Sequence, residues 1–67
     1  MKISHEKVQL AMARACMSLP EVAEKAGIPY GTVKYAMLGR QTKPKTAGTI
    51  AKALGVDVTE IIQEDEV

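Results

Sequence analysis

The chain has 67 residues, a formal net charge of +1, one cysteine and one histidine. A chain of this length forms one domain with a thin core. One cysteine cannot build a disulfide framework, and one histidine leaves no Cys/His cluster with metal-ligand spacing, so we expect no metal and no cofactor. The longest apolar runs are far short of the roughly 20 residues that span a bilayer. The start, MKISHEK, lacks the apolar segment of a secretory signal, so we expect a cytoplasmic protein.

The small net charge hides a segregated charge pattern. Residues 1–24 carry three basic and three acidic side chains, and residues 57–67 carry five acidic and no basic ones. The residues between them, 25–56, carry no acid. Their basic side chains are Lys25, Lys34, Arg40, Lys43, Lys45 and Lys52. A long acid-free segment predicts a surface that binds an anion.

The first predicted helix contains an apolar stripe. Its residues fall at i, i+3, i+4, i+7 and i+8, which places them on one face of a helix. They are Val8, Ala11, Met12, Ala15 and Cys16. Because Cys16 lies on this stripe, we expect a buried structural thiol rather than a nucleophile.

The second and third predicted helices are marked by capping and turn residues. Ser18 and Glu21 match a capping box in the stretch S-L-P-E. Gly27 is expected to end the second helix in the left-handed conformation. Pro29 is suited to the start of the third helix, which extends to about residue 38. The inner face of that helix is predicted to contain Val33, Ala36 and Met37.

Two further helices complete the prediction. Thr46 is the expected cap of the fourth helix, and Gly55 is expected to stop it. Asp57 and Glu60 match a second capping box, which predicts a fifth helix. Its apolar residues are Val58, Ile61 and Ile62. Residues 63–67 offer too little apolar surface to become ordered, so we expect them to fray. The chain is therefore predicted to be a single, compact, all-α domain of five helices.

The junction of the second and third helices has the spacing of a helix-turn-helix. Two helices that cross at a steep angle need a small residue at their contact, which Ala23 supplies. The turn needs a positive φ, which Gly27 supplies. Ile28 and Val33 can anchor the third helix from beneath. This arrangement would present the start of the third helix to a partner.

The stretches SLPEVAEKAGIPYGTVKYAMLGR, KPK and IAKALGVDVTEII together resemble the lambdoid-phage Cro and repressor family, the XRE-type helix-turn-helix proteins. The resemblance extends over residues from about 8 to 62, which is nearly the whole chain. It implies a lambda-repressor-like domain, encoded by a bacterium or a phage, with the helix-turn-helix at about residues 18–38.

The resemblance also implies a function. It implies a transcriptional repressor that binds double-stranded DNA as a homodimer and inserts residues 29–38 into the major groove. The implied base-reading residues are Tyr30, Gly31, Thr32, Lys34 and Tyr35. The implied phosphate contacts are Ser18, Leu19, Arg40, Gln41, Thr42, Lys43 and Lys45. The fifth helix would lie near the dimer contact.

The chain departs from the family at positions that bear on recognition. Many relatives carry a phosphate-binding Gln at the position of Leu19, and they often carry Gln, Ser or Asn where this chain has Gly31 and two tyrosines. Lys34 could reach a guanine, whereas Thr32 and the tyrosine rings could meet thymine methyl groups. The sequence leaves the identity of the bases open.

Two other classes of function compete with DNA binding. An enzyme needs convergent titratable groups in a pocket, but the acids of this chain lie towards its ends. We therefore predict neither catalysis nor a small-molecule ligand. A helix-turn-helix scaffold that binds another protein, as an antitoxin, anti-repressor or regulatory subunit, is the stronger alternative. The weak net charge, the aromatic third helix and the acidic tail all suit it.

Overall fold

Four α-helices and one 3-10 helix form the fold in the computed structural model, which describes residues 1–63. The α-helices are α1 (His5–Ala15), α2 (Leu19–Ala26), α3 (Tyr30–Met37) and α4 (Pro44–Leu54), and the 3-10 helix is Val58–Glu60. No β-strand occurs within these residues. The prediction of a compact, mostly helical domain is confirmed. In place of the fifth helix the chain makes one 3-10 turn.

Capping boxes mark where α2 and the 3-10 helix begin. Ser18 N–H donates to Glu21 Oε1 at 2.9 Å, and Ser18 Oγ accepts from Glu21 N–H at 3.4 Å, so the predicted capping box of α2 is confirmed. The second predicted box, Asp57 with Glu60, is also present and begins the 3-10 helix. The prediction for α4 was wrong in detail, because that helix begins at Pro44 rather than after Thr46. Proline fits the first helical turn because the amide it lacks has no partner there.

The end of α1 also differs from the prediction. Cys16 is exposed and adopts the left-handed conformation, with φ of 55° and ψ of 44°. Its N–H donates to Ala13 O at 3.3 Å, and the following amide, Met17 N–H, donates to Met12 O at 3.0 Å. The helix therefore ends at Ala15, and the left-handed backbone of Cys16 turns the thiol away from the apolar stripe. The expectation of a buried thiol was wrong.

The core lies between all four helices and is made of small and branched apolar side chains. The helix α2 contacts both α3 and α4, and its Val22 and Ala23 are buried in the core. The remaining fully or nearly fully buried apolar residues are Ile3, Val8, Ala11, Val33, Ala36, Ala47, Ile50, Ala51, Ala53, Leu54 and Ile61. Six of the thirteen core residues are alanines, which lets the helix backbones approach closely. None of the helices described is long and apolar enough to cross a membrane.

Residues 1–4 pair with residues 61–63, so the two ends of the described chain are hydrogen-bonded to each other. Ser4 N–H donates to Ile61 O at 2.7 Å, and Gln63 N–H donates to Lys2 O at 2.8 Å. On its other side the same segment pairs with the α3–α4 loop, where Thr42 N–H donates to Met1 O at 2.7 Å. These bonds fix the position of that loop relative to the core. Of the tail predicted to fray, residues 64–67 lie outside the described residues.

Candidate nucleic-acid interface

The junction between α2 and α3 has the local geometry that the sequence predicts. Gly27 has a φ of 72°, and its N–H donates to Ala23 O at 2.9 Å. Ile28 N–H also donates to Ala23 O, at 3.1 Å, and the Ile28 side chain packs against the core. Ala23 and Val33 are both buried. The positive φ of Gly27 and the burial of Ala23 and Val33 are therefore as predicted.

The outer face of α3 is exposed and mostly uncharged. Gly31, Lys34, Tyr35 and Leu38 are spaced at i, i+3, i+4 and i+7, so they lie on one face opposite the buried Val33 and Ala36. Tyr35 is 52% exposed and Leu38 is 65% exposed. The other two base-reading candidates, Tyr30 and Thr32, flank this face and are exposed as well. All five predicted base-reading residues are therefore accessible on one helix.

The loop after α3 joins the two predicted sets of contacts. A shallow cleft of about 300 Å³ lies between α3 and the start of α4. It is lined by Thr32, Tyr35, Gln41, Thr42, Lys43 and Thr46. The guanidinium carbon of Arg40 lies 5.7 Å from the centroid of the Tyr35 ring, which is a cation–π contact. Lys43 and Lys45, on the α4 side, are exposed. The structure thus places predicted base-reading and phosphate-contacting side chains around one cleft.

Thr42 does not fit the role predicted for it. Its side chain is only 8% exposed, and its hydroxyl donates to Arg40 O at 3.2 Å. Its N–H is bonded to the carbonyl of Met1. The neighbouring Gln41 is exposed, and its Oε1 accepts from the Met1 amino group at 3.1 Å. Thr42 therefore shapes the loop, whereas the exposed Arg40, Gln41 and Lys43 remain candidates for phosphate contact.

The start of α2 is also less suited to a phosphate than predicted. The Ser18 N–H is bonded to the Glu21 carboxylate, and this backbone hydrogen bond, together with the Ser18 hydroxyl, lowers the pKa of Glu21. A stable negative charge at this helix end would repel a phosphate. Leu19 is half-buried and packs against the core. The structure does not bring either residue into the cleft beside α3.

Lys2 is a candidate that the sequence analysis missed. It forms an antiparallel bridge with Gln41, and its side chain is exposed. A second shallow depression is lined by Lys2, Tyr35, Leu38, Gly39, Arg40 and Gln41. Lys2 lies outside the acid-free segment 25–56, and no local pattern in MKIS indicates that it would reach the α3 surface. Only the pairing of residues 1–4 with the loop adds this positive charge to the interface.

Within residues 1–63, no group of three or more His, Cys, Asp or Glu side chains is placed to hold a metal ion. No protein-family model, curated protein or solved structure matches this chain. The family resemblance therefore remains a prediction, and the functional conclusion depends on the shape and charge of the α3 surface.

Proposed function

We propose that the chain is a sequence-specific DNA-binding transcriptional regulator of the XRE type. It acts as a repressor by occupying operator DNA as a homodimer, with α3 in the major groove. The observation that carries this proposal is the exposed α3 face, which lies on the acid-free segment 25–56 and is flanked by Lys2, Arg40 and Lys43. Lys45 follows in the first turn of α4.

The dimensions and charges of this surface suit a DNA groove. A helix of eight residues is about 12 Å long, and the major groove is about 12 Å wide and admits one α-helix. The basic side chains lie on the loop and the chain start beside α3, where they could reach the phosphates that border the groove. Base contacts would then come from α3 and affinity from the flanking cations.

The salt dependence of binding tests this proposal. We expect the logarithm of the affinity for duplex DNA to fall linearly with the logarithm of salt concentration, with a slope of about −0.9 for each phosphate contact. Lys43→Ala should reduce the magnitude of that slope by about one. Arg14→Gln is the matched control, because Arg14 lies on α1 and pairs with Glu60 at 3.6 Å. The control should leave the slope unchanged.

Fluorescence anisotropy with labelled duplexes, between about 50 and 300 mM salt, would measure these slopes. The duplexes should come from a random pool enriched on the wild-type protein, which also yields the bound sequence. A protein that binds no duplex at low salt would contradict the proposal.

The exposed apolar groups of α3 favour one second candidate, a protein partner. Leu38 is 65% exposed, and Tyr30 and Tyr35 are 46% and 52% exposed. Tyrosine is enriched in protein–protein interfaces. In that case the chain would be an antitoxin, anti-repressor or regulatory subunit. Leu38→Ala would then abolish partner binding, and the complex would depend much less on salt than DNA binding does.

A further inference from the structure

Gly31 is a helical glycine for which the protein itself provides no reason. Glycine destabilises a helix interior relative to alanine. Gly27, Gly39 and Gly55 have positive φ angles that favour glycine, but Gly31 does not. A Cβ atom built at position 31 would meet no heavy atom within 4 Å. Neither the backbone conformation nor the packing of this chain therefore requires a glycine there.

The position of Gly31 on the α3 face indicates what could occupy the space left by its missing side chain. Lys34 and Tyr35 lie one turn further along the same face, and both are exposed. Gly31 lies at the first turn of α3, at the start of that face, and the space around its Cα is open. In the proposed complex this face meets the floor of the major groove. A glycine there lets the helix backbone approach a base edge more closely than any other residue would.

The side chains of α3 indicate which base would lie against Gly31. The helix YGTVKYAM contains no Asn or Gln for adenine and no Arg for guanine, so Lys34 is its one residue of the types that form bidentate hydrogen bonds with a base. Lys34 is its one charged residue. The remaining exposed groups are two tyrosine rings and a threonine, which offer mainly apolar contact. The apolar group that the major groove presents is the 5-methyl group of thymine.

We propose that α3 recognises thymine through its 5-methyl group, and that Gly31 supplies the space in which one such methyl group contacts the helix backbone. This inference rests on the proposed DNA-binding function and names the base chemistry that the site reads. It predicts bound sequences rich in thymine at the positions that α3 covers, with discrimination against cytosine, which lacks the methyl group.

Deoxyuridine provides a test that needs no protein variant, because it differs from thymidine only in the missing methyl group. Each thymine of the enriched duplex is replaced singly by uracil, and the affinity of the wild-type protein is measured at one fixed salt concentration. Burial of one methyl group predicts a loss of about three- to fivefold at the contacted thymine. A duplex with cytosine at the contacted thymine position should bind weakly. Replacement of that cytosine by 5-methylcytosine returns the methyl group and should restore affinity.

Gly31→Ala tests the space itself. The added methyl group should raise the thermal midpoint of the free protein and yet weaken binding to the thymine duplex by tenfold or more. The same variant should lose much less affinity for the duplex with uracil at the contacted position, because that change returns the space. Gly48→Ala is the matched control, since Gly48 is a helical glycine of α4 with the same open surroundings. It should stabilise the protein without the thymine-dependent loss.

The outcomes separate the two levels of the proposal. Specific binding that is unchanged by every uracil replacement would overturn the methyl inference and leave the DNA-binding function standing. Gly31→Ala binding as tightly as wild type would overturn the role of Gly31 in the same way. A wild-type protein that binds no duplex at low salt would overturn both.

Discussion

Single residues show where periodic patterns stop being informative. Cys16 continues the apolar stripe of α1 in the sequence, yet its backbone is left-handed and its side chain is exposed. A stripe predicts which face of a helix is buried, but it does not contain the position at which the helix ends. Thr42 shows the converse error. It stands in a polar loop and was expected at the surface, but the pairing with Met1 buries it.

Replacement of Cys16 by glycine should stabilise the protein. A residue with a Cβ atom is strained at φ of 55°, and glycine is not. Glycine gives back part of this gain through the greater freedom of the unfolded chain. We expect a net gain of about 0.5–1 kcal/mol, which raises the melting temperature of a domain of this size by roughly 2–8 °C. Thermal unfolding followed by circular dichroism under reducing conditions measures it.

Cys16→Ala is the control for this experiment, because it removes the thiol but retains the Cβ atom. It should not raise the melting temperature. If the alanine and glycine variants were equally stable, the left-handed backbone at position 16 would not be a source of strain.

At the scale of elements, local signals located the last helical element but not its length. The Asp57–Glu60 capping box correctly marks where a helix starts. The helix stops after one 3-10 turn because Ile61, with φ of −121°, already leaves the helical conformation. Its carbonyl then accepts from Ser4 N–H, a residue 57 positions earlier in the chain. Contacts between distant segments decided the length of this element, and no local pattern could report them.

The capping boxes should make stability depend on pH in acid. The Ser18 N–H and hydroxyl lower the pKa of Glu21 below its ordinary value of 4.5. The Thr59 hydroxyl and N–H lower the pKa of Asp57 below 3.8. A carboxylate whose pKa is lower in the folded state stabilises the fold above its unfolded pKa, and this contribution is lost as the pH falls through the folded value. We therefore expect the melting temperature to fall below about pH 4.5.

Glu21→Gln isolates the box of α2. The variant should melt at a lower temperature than wild type at pH 7, and this difference should shrink as the pH falls through the lowered pKa of Glu21 in the folded state. Glu24→Gln, an exposed position of the same helix outside the box, controls for the change in net charge. A Glu21→Gln difference that stayed constant from pH 7 to 3 would contradict the assignment.

At the scale of the whole molecule, the fold class followed from periodicity, but the surface did not. The helical stripes and the Ala23–Gly27 corner were sufficient for a compact helical domain with α3 exposed. The joining of the chain ends was not predictable, because residues 1–4 and 61–63 carry no pattern that identifies them as partners. This joining adds Lys2 to the α3 surface. The resemblance placed the fifth helix near a dimer contact, yet Ile61 is fully buried within a single chain.

The burial of Ile61 gives a prediction that separates folding from dimerisation. Ile61→Ala removes a fully buried side chain, and such changes destabilise proteins by about 2–5 kcal/mol. The free energy of unfolding of a native protein is only about 5–15 kcal/mol, so the variant should be partly unfolded at 37 °C. Ile62→Ala makes the same change at a half-buried position and should destabilise the fold less. Chemical denaturation monitored by circular dichroism gives both free energies of unfolding.

Protein concentration shows which role the residue has. A core residue should give the same loss of stability at all protein concentrations, because unfolding of a monomer does not depend on concentration. A residue in a dimer contact should give a loss that grows as the protein is concentrated, since association stabilises only the wild-type fold. We expect the first behaviour for Ile61. A homodimer on DNA would then have to use other surfaces. A loss of stability in Ile61→Ala that depends on protein concentration would instead place the dimer contact at Ile61.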